Sequence, residues 1–129
     1  MSSYLILYLR DNAGCEHGLT KYNRGSVIYQ YLYTYHDNTS GESKILTKTI
    51  INPLLIDIQE EIDESEQEIN FIKTLNISAV NILEESIKKE RYLNELKETK
   101  NQIKSIMKFL DIIDNDGYCD FVGLFYIYD

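Results

Sequence analysis

From Leu54 to Asp116 the chain has neither glycine nor proline, and its apolar residues recur at helical spacing. They fall at Leu55, Ile58, Ile62, Ile69 and Ile72, then at Leu83, Ile87, Leu93, Leu96, Ile103, Ile106, Leu110 and Ile113. A single helix of that span would be about 90 Å long, and its apolar stripe would need cover along its whole length. Asn52 and Pro53 suit an N-cap and a first helical position, and Gly117 suits a stop. Two arrangements satisfy the stripe. The seven-residue repeat Leu55, Ile62, Ile69, Asn76, Leu83 fits a dimeric coiled coil in which a buried asparagine sets the register. However, the repeat slips between Leu83 and Leu96, and residues 74–78 are the weakest helical stretch, with Ser78 placed to cap a new start. The expected arrangement over 53–114 is therefore a helical hairpin turning near residues 75–78, with the coiled coil as the alternative. Its second helix outlasts the first, so Ile103 to Ile113, with Met107 and Phe109, is expected to lie on the remainder of the fold.

That remainder reads as strands. Tyr4–Arg10 is apolar or aromatic nearly throughout, Ser26–His36 is rich in β-branched and aromatic residues, and Lys44–Ile51 alternates. Residues 37–43, DNTSGES, read as a hairpin loop, and residues 11–25, with three glycines and no periodicity, as a long surface loop. Tyr118–Tyr128 reads as a last strand. The expected fold is a single α+β domain over residues 1–129, with a four-stranded, mainly antiparallel sheet in the order β-β-β-α-α-β. Residues 1–51 and 118–128 supply the sheet, and the hairpin is inserted before the last strand.

Within the second expected strand, Tyr29, Tyr31, Tyr33 and Tyr35 occupy every second position and would share one face. Tyr4 and Tyr8, and Tyr126 and Tyr128, would extend that face, while Leu5, Leu7, Leu9, Ile28, Leu32, Phe121, Phe125 and Ile127 lie on the opposite sides. Either the helices cover the tyrosines, or they take the aliphatic side and leave the tyrosines to a partner or a stacked ligand. In the second case Tyr29, Tyr31, Tyr33 and Tyr35 are the binding residues. Lys21 and Arg24 in the neighbouring loop would be able to meet a small phosphate.

Net charge is −8 and unevenly placed: residues 1–52 carry five Lys/Arg against four Asp/Glu, and residues 53–129 carry eight against seventeen. That balance opposes binding to duplex nucleic acid, which rests on neutralising phosphates. Seven acids and no base fall between Asp57 and Glu68, yet Ile58, Ile62 and Ile69 keep helical phase there, so the run is a solvated helix face. That acidic face would also be able to imitate nucleic-acid charge against a basic groove. No stretch has the roughly 20 apolar residues of a membrane span. The apolar start of the chain lacks the basic flank and cleavage site of an export signal. Cys15 and Cys119 are accordingly expected as free thiols, in a cytoplasmic setting (the host cytoplasm for a viral chain). Abundant Ile, Lys and Asn beside two Ala and three Arg suggest AT-rich coding, as in a phage, another virus or an AT-rich bacterium.

Few residues suit catalysis. Cys15, Glu16 and His17 are adjacent, but a thiolate mechanism needs an oriented base, and zinc needs four ligands, usually in spaced pairs. Cys15, His17, His36 and Cys119 have no such spacing. Asp114, Asp116 and Asp120 resemble part of a calcium loop, but the end positions fall on Ile112 and Gly123. No phosphate-cradling glycine loop, Gly-x-Ser-x-Gly or His-Glu-x-x-His occurs. The expectation is a non-enzymatic interaction protein without metal or cofactor, homo-oligomeric, that binds or occludes a protein partner. An inhibitor carried by a phage or mobile element fits that description. The alternative is a small-ligand, nucleotide-type binder using the tyrosines.

Overall fold

A computed structural model describes residues 4–34, 42–75, 80–115 and 121–129. Its elements are β1 (Tyr4–Asp11), β2 (Glu16–Asn23), α1 (Val27–Thr34), β3 (Lys44–Ile45), α2 (Lys48–Thr74), α3 (Val80–Asn115) and β4 (Phe121–Tyr128). The fold is α+β. Four antiparallel strands form one sheet in the order β2-β1-β4-β3, and a helical hairpin precedes the last strand. Tyr35, His36, Cys119 and residues 76–79, where most of the expected turn falls, lie outside the described residues, as do Asp116 and Asp120.

Three segments differ from expectation. The supposed loop over residues 11–25 contains β2, which pairs along β1 from Tyr4↔Asn23 to Arg10↔Glu16 with one bulge. The turn between them is built by Asp11, whose Oδ1 accepts from the backbone N–H groups of Ala13 and Cys15 at 2.9 and 2.8 Å. Its Oδ2 meets His17 Nε2 at 2.9 Å, and Gly14 takes the positive φ (87°) that the turn requires. Because β2 is an edge strand exposed along most of its length, it needed no apolar pattern to reveal it.

The expected strand over 26–36 is the helix α1. Ser26 caps it: its hydroxyl donates to the Asn23 carbonyl at 2.7 Å and accepts from the Tyr29 N–H. Val27, Ile28, Tyr29 and Leu32 are buried, a helical face, although the tyrosines at every second position also fit a strand over so short a run. The third strand is likewise reduced to Lys44–Ile45, because α2 starts at Lys48 and not at Pro53. Ile51, Leu54, Ile58 and Ile62 then form one buried stripe. Pro53 cannot donate to the carbonyl one turn back, that of Thr49, but Thr49 is exposed and water can serve it.

The helices α2 and α3 pair along their length. Lys97–Glu66, Lys73–Glu90 and Lys89–Glu68 cross between them, and Lys48 meets Asp111 at the sheet end. Ile62, Ile69, Leu93 and Leu96 are buried in the hairpin, whereas Leu55 is half-buried and Leu83 exposed, so the heptad is not kept. Ile103 and Leu110 join the core with Leu5, Leu7 and Leu9, which places the C-terminal half of α3 against the sheet as expected.

Aligned with Leu5, Leu7 and Leu9 on that covered face are Tyr128, Tyr126 and Leu124, their partners across β1 and β4. Tyr128 is fully buried. Its hydroxyl donates to the Tyr29 carbonyl at 2.9 Å, and burial raises its pKa strongly. Tyr128→Phe is expected to cost about 1 kcal/mol, against about 3 kcal/mol for Leu96→Ala in the hairpin seam; urea titration measures both. The hydrogen bond from His17, then those from the Cys15 and Ala13 amides, hold the Asp11 carboxyl below its usual range. Its folded value is depressed, so its contribution is present above the unfolded value of about 3.9 and lost as pH falls. The melting advantage of wild type over Asp11→Asn should therefore be present at pH 6 and shrink below about pH 4.

Candidate functional site

The tyrosine ladder does not exist as one surface. On α1, Tyr29 and Tyr33 are four residues apart and stack at 6.1 Å, while Tyr31 packs half-buried on a different side. Tyr29 meets Tyr128 edge-on at 4.8 Å, Tyr33 meets it at 5.3 Å, and Tyr126 meets it at 6.3 Å. Tyr29 is thus a core residue, and Tyr33, 42% exposed, is the rim of the same aromatic cluster. Arg24 lies in the turn before α1, where its carbonyl accepts from Gln30 Nε2 at 2.7 Å. Lys21 lies on β2 and faces the other way, with its ammonium 4.6 Å from the centre of the Tyr4 ring.

Lys21 points to a surface that the sequence reading divided wrongly. The register pairs Ile6 with Ile127, Tyr8 with Phe125 and Arg10 with Gly123, so these side chains share the face opposite the core. Tyr4, Lys21 and Ile45 complete it. None of its apolar members, Tyr4, Ile6, Tyr8, Ile45, Phe125 or Ile127, belongs to the cluster that the helices bury. Tyrosine and leucine therefore do not sort onto opposite faces: β1 puts leucines inward and tyrosines outward, whereas β4 puts Leu124, Tyr126 and Tyr128 inward and Phe125 and Ile127 outward.

The open face is internally ordered. Tyr8 and Phe125 stack at 5.7 Å, and the Arg10 guanidinium sits 4.3 Å from the centre of the Phe125 ring. Arg10 also reaches Glu16 at 3.3 Å. The Tyr8 hydroxyl pairs with Ser43 Oγ, and burial, then the Glu16 charge, raises its pKa. Gly123 lets Ile45 approach closely: a Cβ there would lie 3.2 Å from Ile45 Cδ1, so a larger residue would displace that side chain slightly. The formal charge of Arg10, Lys21 and Glu16 together is one positive, unlike the acidic hairpin.

On the core side, where β2 overhangs α3, lies a pocket of about 270 Å³ walled by Leu7, Leu19, Leu124, Ile106 and Phe109, with Tyr22 at its margin. Its lining includes no cation, so it does not suit a phosphate. The remaining expected constellations do not assemble. Cys15 is exposed with a free thiol, and Asp114 pairs with Lys48. Among the described residues no group of three or more His, Cys, Asp or Glu is placed to hold a metal ion, and no helix is long and apolar enough to cross a membrane. Comparison with known protein families, curated proteins and solved structures returned no match to this chain.

Proposed function

We propose that this is a non-enzymatic interaction protein that binds a protein partner on the open face of its sheet. One observation carries the reading: β1 and β4 are apolar on both faces, and among the described residues the helices cover only one, leaving Ile6, Phe125 and Ile127 half-exposed on the other beside a buried Tyr8. An antiparallel sheet with one face in water ordinarily alternates apolar and polar residues, and near-continuous apolar strands belong to sheets covered on both sides. Here the second face offers aromatic and aliphatic area of the composition that interface centres favour, with an arginine and a lysine at its margins. A small chain of this kind acts by occluding or bridging what it binds. The rival, small-ligand reading loses its tyrosine platform and would fall to the apolar pocket beneath β2, where a nucleotide phosphate would find no cation.

If the open face serves a partner, its side chains add little to folding. Ile127→Thr and Ile6→Thr should each cost under about 1 kcal/mol, while Leu7→Ala on the covered face should cost about 2–5 kcal/mol. Urea unfolding makes the comparison, and equal losses on both faces would show that the open face is structural. Mono- and cyclic nucleotides should leave the melting temperature unchanged. A shift of several degrees with any of them would favour the rival.

A further inference from the structure

We infer that the occupant of the open face is a second copy of this chain, docked sheet to sheet in a two-fold dimer with the helical hairpins on the outside. The inference rests on the reading of that face as a docking surface and adds the identity of the partner.

The layout of the face is self-complementary. In the order β2-β1-β4-β3 the two middle strands are β1 and β4, and their outward pairs Ile6–Ile127 and Tyr8–Phe125 lie on the midline of the sheet. A two-fold axis through that midline brings each apolar pair against its own copy, as an isologous interface requires. Lys21 lies off the centre on the edge strand β2, while Arg10, near one end of β1, lays its guanidinium over the Phe125 ring with Glu16 balancing its charge. The Ile6–Ile127 end of the midline is therefore the apolar part, with the polar groups toward the other end and the β2 edge. Both cations are already engaged within the face, Arg10 by Glu16 and the Phe125 ring and Lys21 by the Tyr4 ring. A partner therefore need not supply acids, and the face does not select a strongly acidic peptide over another copy of itself.

Charge agrees with this occupant, and area sets its strength. Three eight-residue strands cover roughly 27 by 14 Å of flat sheet, about 400 Å². That is below the about 600 Å² per partner at which specific interfaces begin, so the dimer is a weak one. The chain's excess of acid belongs to residues 53–129, and its densest run, Asp57–Glu68, is on α2, which packs on the core side of the sheet. In a sheet-to-sheet dimer two sheets, about 10 Å apart, separate the two acidic hairpins. Pairing through the hairpins would instead set like charges against each other. The residual repulsion between two chains of charge −8 is long-ranged, so salt should tighten the dimer.

Sedimentation equilibrium of the full chain from low to high micromolar concentration, at low and at high salt, tests this. The expected result is a monomer–dimer equilibrium that tightens with salt. Ile6→Glu and Ile127→Glu should each weaken it tenfold or more with the circular dichroism spectrum unchanged, while Ile56→Glu, on the exposed side of α2, should leave it alone. Should the face variants fail to fold, carbene footprinting of the wild-type protein gives the same answer, since labelling of Tyr4 and Ile45, both exposed in the single chain, should rise on dilution. A monomer at all concentrations overturns the dimer and leaves the open face standing as the site of a different protein. A dimer broken by Ile56→Glu but not by either face variant overturns both readings.

Discussion

Pairing between the first strand and the last is the constraint on which the rest of this structure hangs. Tyr4 and Asp129 exchange backbone hydrogen bonds of 3.1 and 3.0 Å, and from there the register runs Leu5↔Tyr128, Leu7↔Tyr126, Leu9↔Leu124. This register decides both surfaces of the sheet at once. A slip of one residue would exchange the covered and open sides of β4, sending Tyr126 and Tyr128 outward and Phe125 and Ile127 into the core. Tyr128 guards against such a slip, because only in the observed register do its ring and hydroxyl meet Tyr29. The pairing closes a loop of more than a hundred residues, yet closure entropy grows with the logarithm of loop length and is on the order of 4 kcal/mol. A helical hairpin can therefore sit between the two strands without forbidding their union.

Much of the architecture was legible because it rests on long periodic signals. The hairpin could be read from its apolar spacing and from the weak stretch before Ser78, and β1 and β4 from their apolar density. What misled was short. Eight residues of α1 satisfy a period of two and a period of 3.6 alike, and the deciding signal was the cap at Ser26, not the tyrosines. For β2 the signal was the turn, an Asp11 able to gather the Ala13 and Cys15 amides with Gly14 behind it, since an exposed edge strand carries no burial pattern. At the start of α2, Pro53 drew attention away from Ile51, which continues the stripe of Leu54 and Ile58 by one further turn.

The candidate site was less legible than the fold, for a reason of register. Alternation along a strand says which residues share a face of that strand, but not which face of its neighbour lies alongside. With β1 and β4 apolar on both sides, composition allows either match, and grouping by chemical type joined tyrosine to tyrosine. The hydrogen-bonded register joins leucine to tyrosine on one side and tyrosine to phenylalanine on the other. Of the five candidate residues that the structure describes, Lys21 alone falls on the open face, and Tyr4, Tyr8 and Phe125 were present in the pattern but assigned to opposite surfaces.

The two surfaces of the sheet are not independent in energy. Their side chains alternate along the same two strands, so anything that occupies the open face binds the folded state, in which β1 and β4 are paired, and not the unfolded chain. By mass action it stabilises the fold in proportion to the logarithm of its concentration over its dissociation constant. Such an occupant acts on the closure that matters most, that of the chain's first strand onto its last, and through it on the core where Leu5, Leu7 and Leu9 meet Ile103 and Leu110. Apolar residues on the outer side of β1 and β4 are a cost for a monomer, because they invite non-specific association. They become an advantage only when a specific surface covers them, and then fold and assembly share the same two central strands.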